Sequence, residues 1–185
     1  TYGDWSSDVC SSDLKGAHFI ELCNQNGTPL VFLQNITGYM VGREYEARGI
    51  TKDGAKMIMA VSNSRVPKFT VMCHGSFGAG NYGMCGRAFD ARFLFSWPNH
   101  QIGVMGGEQA AKTLAEVKTR QLERHGKVDQ AVVDSVYQET LKAYQQQLSA
   151  YYSTSELWDD GMIDPVDTRN ALGVADRKST RLNSS

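Results

Sequence analysis

Five glycines fall within the twelve residues Gly75–Gly86, GSFGAGNYGMCG, directly after the apolar run Phe69–Cys73. Glycine reaches positive φ and lets another backbone approach closely, but it loses the most entropy when ordered. A chain that accepts this cost just after a buried strand is expected to use exposed backbone N–H groups. The groups that need them are a phosphate, an oxyanion or a tightly packed neighbour.

The surrounding pattern sets the frame. Leu30–Asn35 reads as a buried strand after a turn at Gly27–Pro29, and Phe19–Cys23 is a shorter apolar segment. After the loop Thr37–Gly42, Lys52–Asn63 has a helical period with Ala55, Ile58, Met59 and Ser62 on one face. Pro67 ends that element, and Phe69–Cys73 is the next strand. Phe93–Ser96 and Ile102–Met105 flank a Trp97-Pro98-Asn99 turn. Glu108–Arg124 is a helix ended by Gly126, and Val128–Tyr151 a longer, Gln-rich one. Trp158–Ile163 turns at Asp159-Asp160-Gly161, and Asp167 is placed to cap a last helix. Strands alternating with helices predict an α/β layered fold in one domain. The loops Thr37–Gly42 and Gly75–Gly86 then leave equivalent strand ends and can lie side by side, at the edge where such sheets bind ligands.

Composition excludes several classes. The net charge of −1 offers no field for nucleic acid or a membrane surface. No apolar run approaches the roughly 18 residues of a membrane helix, and no charged-then-apolar leader is present. Four cysteines without regular spacing suit reduced thiols rather than disulfides or zinc.

The two ends are related to each other. Asp176–Ser185, DRKSTRLNSS, can be encoded by a DNA string whose reverse complement, in another frame, encodes WSSDVCSSD, Trp5–Asp13. That string resembles a common sequencing-adapter oligonucleotide. Residues 1–14 and 176–185 are therefore expected to be adapter-derived tails around a biological stretch Lys15–Ala175. Setting them aside removes Trp5 and Cys10 from consideration and leaves acids and bases in balance.

Several chemistries compete for the glycine run. Gly78-Ala79-Gly80-Asn81-Tyr82-Gly83 matches GxGxxG after a strand, which supports a dinucleotide-binding α/β oxidoreductase. The ribose-binding acid about 20 residues on is missing, since Pro98–Val104 contains none. No GK[ST] follows, so a Walker loop is excluded. Ser76 follows Gly75 directly and does not form G-x-S-x-G; it reads as a loop serine, and His74 as a strand-end histidine. His18, His74, His100 and His125 are scattered without a metal-ligand spacing, so no metal is expected. Lys56 in Gly54-Ala55-Lys56-Met57 sits on the helical pattern and reads as a solvated lysine rather than a biotin carrier. Of the aromatic side chains Tyr39, Tyr45, Phe77, Tyr82, Phe89, Phe93, Phe95 and Trp97, most read as core. An oxyanion hole remains. Gly78-Ala79-Gly80 can present consecutive N–H groups at a helix start, where the dipole also favours negative charge.

QNITGYMVGREYEARGI, SFGAGNYGMCGRAFDARFLFSWPN, VMGGEQAA and LWDDGMIDPVDTRNALG resemble the C-terminal domain of the carboxyltransferase (β) subunit of biotin-dependent acyl-CoA carboxylases. The nearest branch is 3-methylcrotonyl-CoA carboxylase, with geranyl-CoA carboxylase a near relative. The resemblance covers Lys15–Ala175. It implies a crotonase (ClpP-like) ββα superhelix and transfer of a carboxyl group from carboxybiotin to the γ-carbon of a branched enoyl-CoA. It further implies that this domain mainly holds biotin, while the N-domain of a neighbouring β subunit mainly holds CoA. The biotin would arrive on a biotinylated α subunit that carries biotin carboxylase and the carrier. By position, the amides of Ala79 and Gly80, with Gly78 beside them, would form the hole for the biotin ureido oxygen. The biotin N1′ would then serve as base toward the substrate. Gly38 and Tyr39 would line the biotin pocket, with Phe77 and Tyr82 as further walls. Nucleic acid and membrane are not expected partners. The location implied is the cytoplasm for a bacterial chain and the mitochondrial matrix for a eukaryotic one. Cys73-His74-Gly75-Ser76-Phe77-Gly78 departs from an expected family pattern nearer IGGSFG, so His74 is a departure at the rim of the proposed pocket or a variation of one lineage. A non-catalytic reading, in which the Gln-rich helix docks partners, is compatible with such assemblies.

Overall fold

The computed structural model describes residues 9–124, 126 and 128–182; His125 and Trp5 therefore lie outside it. Five strands form one parallel sheet: β1 Leu30–Ile36, β2 Lys68–Phe77, β3 Phe93–Ser96, β4 Gln101–Gly103 and β5 Gly161–Met162. β2 is the hub. It pairs with β1 on one side. On the other it pairs first with β3, through Phe69↔Phe93 to Met72↔Ser96, and further along with β4, through Gly75↔Gln101 to Phe77↔Gly103. β5 lies outside β3.

The helices are α1 Val9–Gln25, α2 Arg43–Ala47, α3 Ile50–Asn63, α4 Gly80–Gly83, α5 Gly107–Arg124, α6 Gln130–Gln147, α7 Ala150–Ser155 and α8 Thr168–Leu182. α1 and α3 pack together over one sheet face. Leu30, Phe32 and Gln34 alternate inward from β1, as the period of a strand requires, and the first two join Ile20, Cys23, Val61, Val66 and Cys85 in the core. None of the described helices is long and apolar enough to cross a membrane.

Several local expectations change. Phe19–Cys23 is part of α1, where Ile20 and Cys23 turn inward and Phe19 outward. The buried stripe of α3 is Ile50, Gly54 and Val61, not Ala55, Ile58, Met59 and Ser62; Met59 is exposed. The reason is α1, whose Gly16 brings its backbone against Met57 and fixes which way α3 faces. β2 does not stop at Cys73 but runs through Gly75, Ser76 and Phe77, because β4 supplies a pairing edge there. His74 is thus within the strand, its Nδ1 3.3 Å from Asn99 O. Ser76 is a buried strand serine rather than a loop one. The long Gln-rich helix is two. Leu148 is buried at the break, and Ser149 starts α7 by accepting a hydrogen bond from Tyr152 N at 3.2 Å. Near the last helix, Asp164 accepts from Val166 N, and Asp167 belongs to the short 3-10 turn before α8. Lys56 is exposed and pairs with Asp53 at 3.0 Å, as a helix-surface lysine would.

Candidate functional site

The loops after β1 and β2 lie side by side because the strands are parallel neighbours. Gly38 sits at φ 106° and Gly78 at φ 60°, the left-handed region that glycine occupies without strain. A Cβ on Gly38 would stand 3.5 Å from Phe77 O; one on Gly80 would strike Ile36 Cγ2 at 2.5 Å. Glycine at position 80 is therefore a packing requirement, since the backbone of the second loop rests directly on the end of β1.

Gly78 N donates to Gly103 O at 3.1 Å, tying the loop to β4. From there the chain closes one helical turn: Asn81 N donates to Gly78 O, Tyr82 N to Ala79 O and Met84 N to Gly80 O. Among the described residues, neither the Ala79 N–H nor the Gly80 N–H donates to a carbonyl. Two consecutive donors are left, one exposed and one buried. α4 has only four residues, so its dipole adds little, and the amides themselves carry any anion affinity.

A pocket of about 270 Å³ opens beside them, lined by Ile36, Gly38, Tyr39, Met57, Gly80, Gly83 and Met84, with Ser12 and Asp13 of α1 at its side. The Tyr39 ring fits between two helices that lack side chains where it lies. A Cβ on Gly54 of α3 would come within 3.0 Å of Tyr39 Cζ, and one on Gly83 within 3.0 Å of its hydroxyl. Burial, reinforced by the Asp13 carboxylate, pushes the Tyr39 phenol up to about 12, so it remains a neutral hydrogen-bonding group at neutral pH. Asp13 is pushed up to about 6, by burial first and the Asp53 charge second, and its Oδ2 has no hydrogen-bond partner.

Of the residues singled out in the sequence, Gly38, Tyr39 and Gly80 meet at this pocket, with Gly78 and Ala79 in the adjoining turn. Phe77 and Tyr82 lie outside its lining. The Phe77 ring sits over Gly75 and near Gly103, and Tyr82 is exposed, edge-on to Phe89 with ring centroids 5.7 Å apart. Met57 and Gly83 were not anticipated. Neither was a buried polar chain under the loop. Asn81 Nδ2 donates to Ser76 Oγ at 2.7 Å, Ser76 Oγ donates to Gln34 Oε1 at 2.8 Å, and Gln34 Nε2 donates to Met84 O at 2.8 Å. The available signal was Gln34 itself, a polar residue at an inward position of an apolar strand.

A family model described as the carboxyl transferase domain matches residues 7–182. This chain belongs to the carboxyl transferase domain family. It is 57% identical over 165 residues to the biotin-dependent 3-methylcrotonyl-coenzyme A carboxylase beta1 subunit of Mycobacterium tuberculosis, covering 89% of this chain and 31% of the relative. The mitochondrial methylcrotonoyl-CoA carboxylase beta chain of Dictyostelium discoideum is 53% identical over 165 residues, 89% of this chain and 28% of the relative. The crystal structure of the geranyl-CoA carboxylase beta subunit of P. aeruginosa superposes with a TM-score of 0.84 at 46% identity, covering 92% of this chain and 32% of that one. The carboxyl transferase domain here spans about three tenths of the length of these relatives. Its fold is the crotonase-type α/β fold expected from the sequence.

Proposed function

We propose that this carboxyl transferase segment is the biotin-binding half of an active site that moves a carboxyl group from biotin to a branched enoyl-CoA. The observation that carries the reading is the pair of unpartnered amides at Ala79 and Gly80 beside a pocket, in a chain of this family. The residues fit a ureido ring. Gly38 and Gly80 leave the floor free of side chains, Ile36 and Met57 give apolar contact, and Tyr39 gives a flat wall with a neutral hydroxyl. Biotin, when bound, supplies the transferable carboxyl group. The Ala79 and Gly80 N–H groups hold the negative charge that develops on the ureido oxygen, already in place before the reaction begins. Gly78 fixes their direction through its bond to Gly103 O. Phe77 and Tyr82 stand outside the pocket lining.

The biotin is carried by a biotinylated α subunit, and further β subunits supply the CoA-binding half. Both loops leave the same end of the sheet from adjacent parallel strands. The higher identity to the methylcrotonyl-CoA relatives makes 3-methylcrotonyl-CoA the first ester to test, with geranyl-CoA the second. The location proposed is the bacterial cytoplasm, or the mitochondrial matrix for a eukaryotic chain. Residues 1–14 and 176–185 are proposed to be adapter-derived, which makes Asp13 a stranger at the pocket wall and accounts for its burial without a full set of partners.

The test is to recover the full-length gene, express its product with the biotinylated partner and compare the two esters. In that complex Ala79→Pro deletes one of the two amides at an exposed position whose φ of −69° suits proline, and leaves the packing of Gly80 intact. Carboxyl transfer is expected to fall by roughly a hundred- to a thousandfold. An unchanged rate would place the oxyanion site elsewhere.

A further inference from the structure

The buried chain from Asn81 to Met84 O lies directly beneath the two amides, and nothing in the reaction outlined above requires it to touch a substrate. Gln34 and Ser76 are fully buried, so their polar groups must be satisfied internally or destabilise the fold. They satisfy each other in one direction. The Asn81 amide donates to the Ser76 hydroxyl, whose own hydrogen goes to Gln34 Oε1, while the far side of the Gln34 amide donates to Met84 O. Such a directed chain polarises each member and resists distortion more than separate bonds would. It also joins three pieces of backbone: β1 through Gln34, β2 through Ser76, and both ends of α4 through Asn81 and Met84. The Asn81 side chain is confined on its other side as well, since a Cβ on Gly86 would collide with its amide.

Ala79 and Gly80 occupy the span between two anchors. Before them Gly78 N is held by Gly103 O; after them Asn81 is held by Ser76. We propose that Gln34, Ser76 and Asn81 are positioning residues that set the direction of the Ala79 and Gly80 N–H groups and so tune carboxyl transfer without contacting the reactants. This inference rests on the proposed role of the two amides. It makes a distinct claim, because an amide pair can act without this network beneath it.

The test uses the full-length chain assembled with its biotinylated partner, and reads kcat and acyl-CoA KM separately. Asn81→Ala and Ser76→Ala are expected to lower kcat by roughly tenfold to a hundredfold, the scale of a small misplacement of catalytic groups. The acyl-CoA KM should stay within about twofold, because the effect lies in the transition state. Ser76→Thr, which keeps the hydroxyl, should recover most of the rate. Thr70→Ala serves as the structural control. It removes another buried hydrogen bond, Thr70 Oγ1 to Cys85 O at 2.7 Å, on the same face but outside the network. It should cost stability while leaving kcat within about twofold. The proposal is overturned if Ser76→Ala keeps the full rate, or if Thr70→Ala lowers kcat as much as Ser76→Ala does. Ser76→Ala loses only one oxygen, so it remains informative where Asn81→Ala fails to fold. Ala79→Pro, which removes an amide without a new contact at Gly80, separates the two levels. A full rate there removes the role of the amides altogether; a lost rate with Ser76→Ala and Asn81→Ala unaffected removes only the positioning role.

Discussion

Tyr39 illustrates how one side chain can depend on two absent ones. Gly54 lies in the interior of α3, where alanine would be worth about 1 kcal/mol more in helix propensity. The ring of Tyr39 occupies the space that an alanine methyl would need. Gly54→Ala should therefore bring no gain in the natural background, yet stabilise by about 1 kcal/mol once Tyr39→Ala has emptied the slot. Urea unfolding of the four-member cycle reads this coupling, and an equal gain in both backgrounds would mean that Tyr39 does not fill the slot. His100 makes a second residue-scale case. It is fully buried, with Nε2 3.4 Å from Ser153 Oγ, close to Asp159, which accepts hydrogen bonds from Ser96 and Thr154. Burial lowers its affinity for a proton below the usual range, opposed by the Asp159 charge and the Trp97 backbone. The unfolded chain binds that proton near the ordinary value of about 6.5, and the folded chain only at lower pH. The contribution is thus complete above about pH 6.5 and is lost as pH falls through that value toward the folded one. Urea midpoints from about pH 8 down to about pH 5 should decline, and His100→Gln should flatten that slope.

At the scale of elements, one hydroxyl supports the restart of the chain as α7 after the break from α6. Ser149→Ala removes the cap on Tyr152 N and should cost about 1 kcal/mol in thermal or urea unfolding. No loss would assign the break to Leu148 alone. This break was not legible in the chain, because Gln145–Gln147 runs into Leu148 without glycine or proline. Its cause is tertiary: Leu148 is drawn against Gly103 of β4, and Ser149 bridges to Gln101. The same strand explains why β2 outruns its apolar segment. Glycine and serine at 75 and 76 have weak strand propensity, and only pairing with β4 recruits them. By contrast, β1, β3 and α5 were readable, the first two as short apolar runs and the third as a helical stretch stopped before Gly126. The glycine loop was readable as a place of backbone demand because glycine spacing reports it directly, and at Gly80 that demand is close packing against Ile36. The support beneath it was not, since a single Gln34 in an apolar strand does not say what it bonds.

For the whole molecule, the proposed division of the active site has a direct consequence. The isolated 185-residue chain should show no carboxyl transfer to either CoA ester under conditions where the full-length complex is active. Turnover by the isolated chain would mean that it holds its own CoA site. The bonds that fix the candidate site also have reach: Ser76 to Gln34 spans 42 residues and Gln34 to Met84 spans 50. Contacts so distant in sequence close only after the intervening chain has given up its freedom, and they slow folding accordingly. The glycine loop cannot take its final shape while α2, α3 and the turn at Pro67 are still being laid between β1 and β2. Competence to hold an anion should therefore arise in the same late step that docks β1 onto β2, so that partly folded chains present no half-built site.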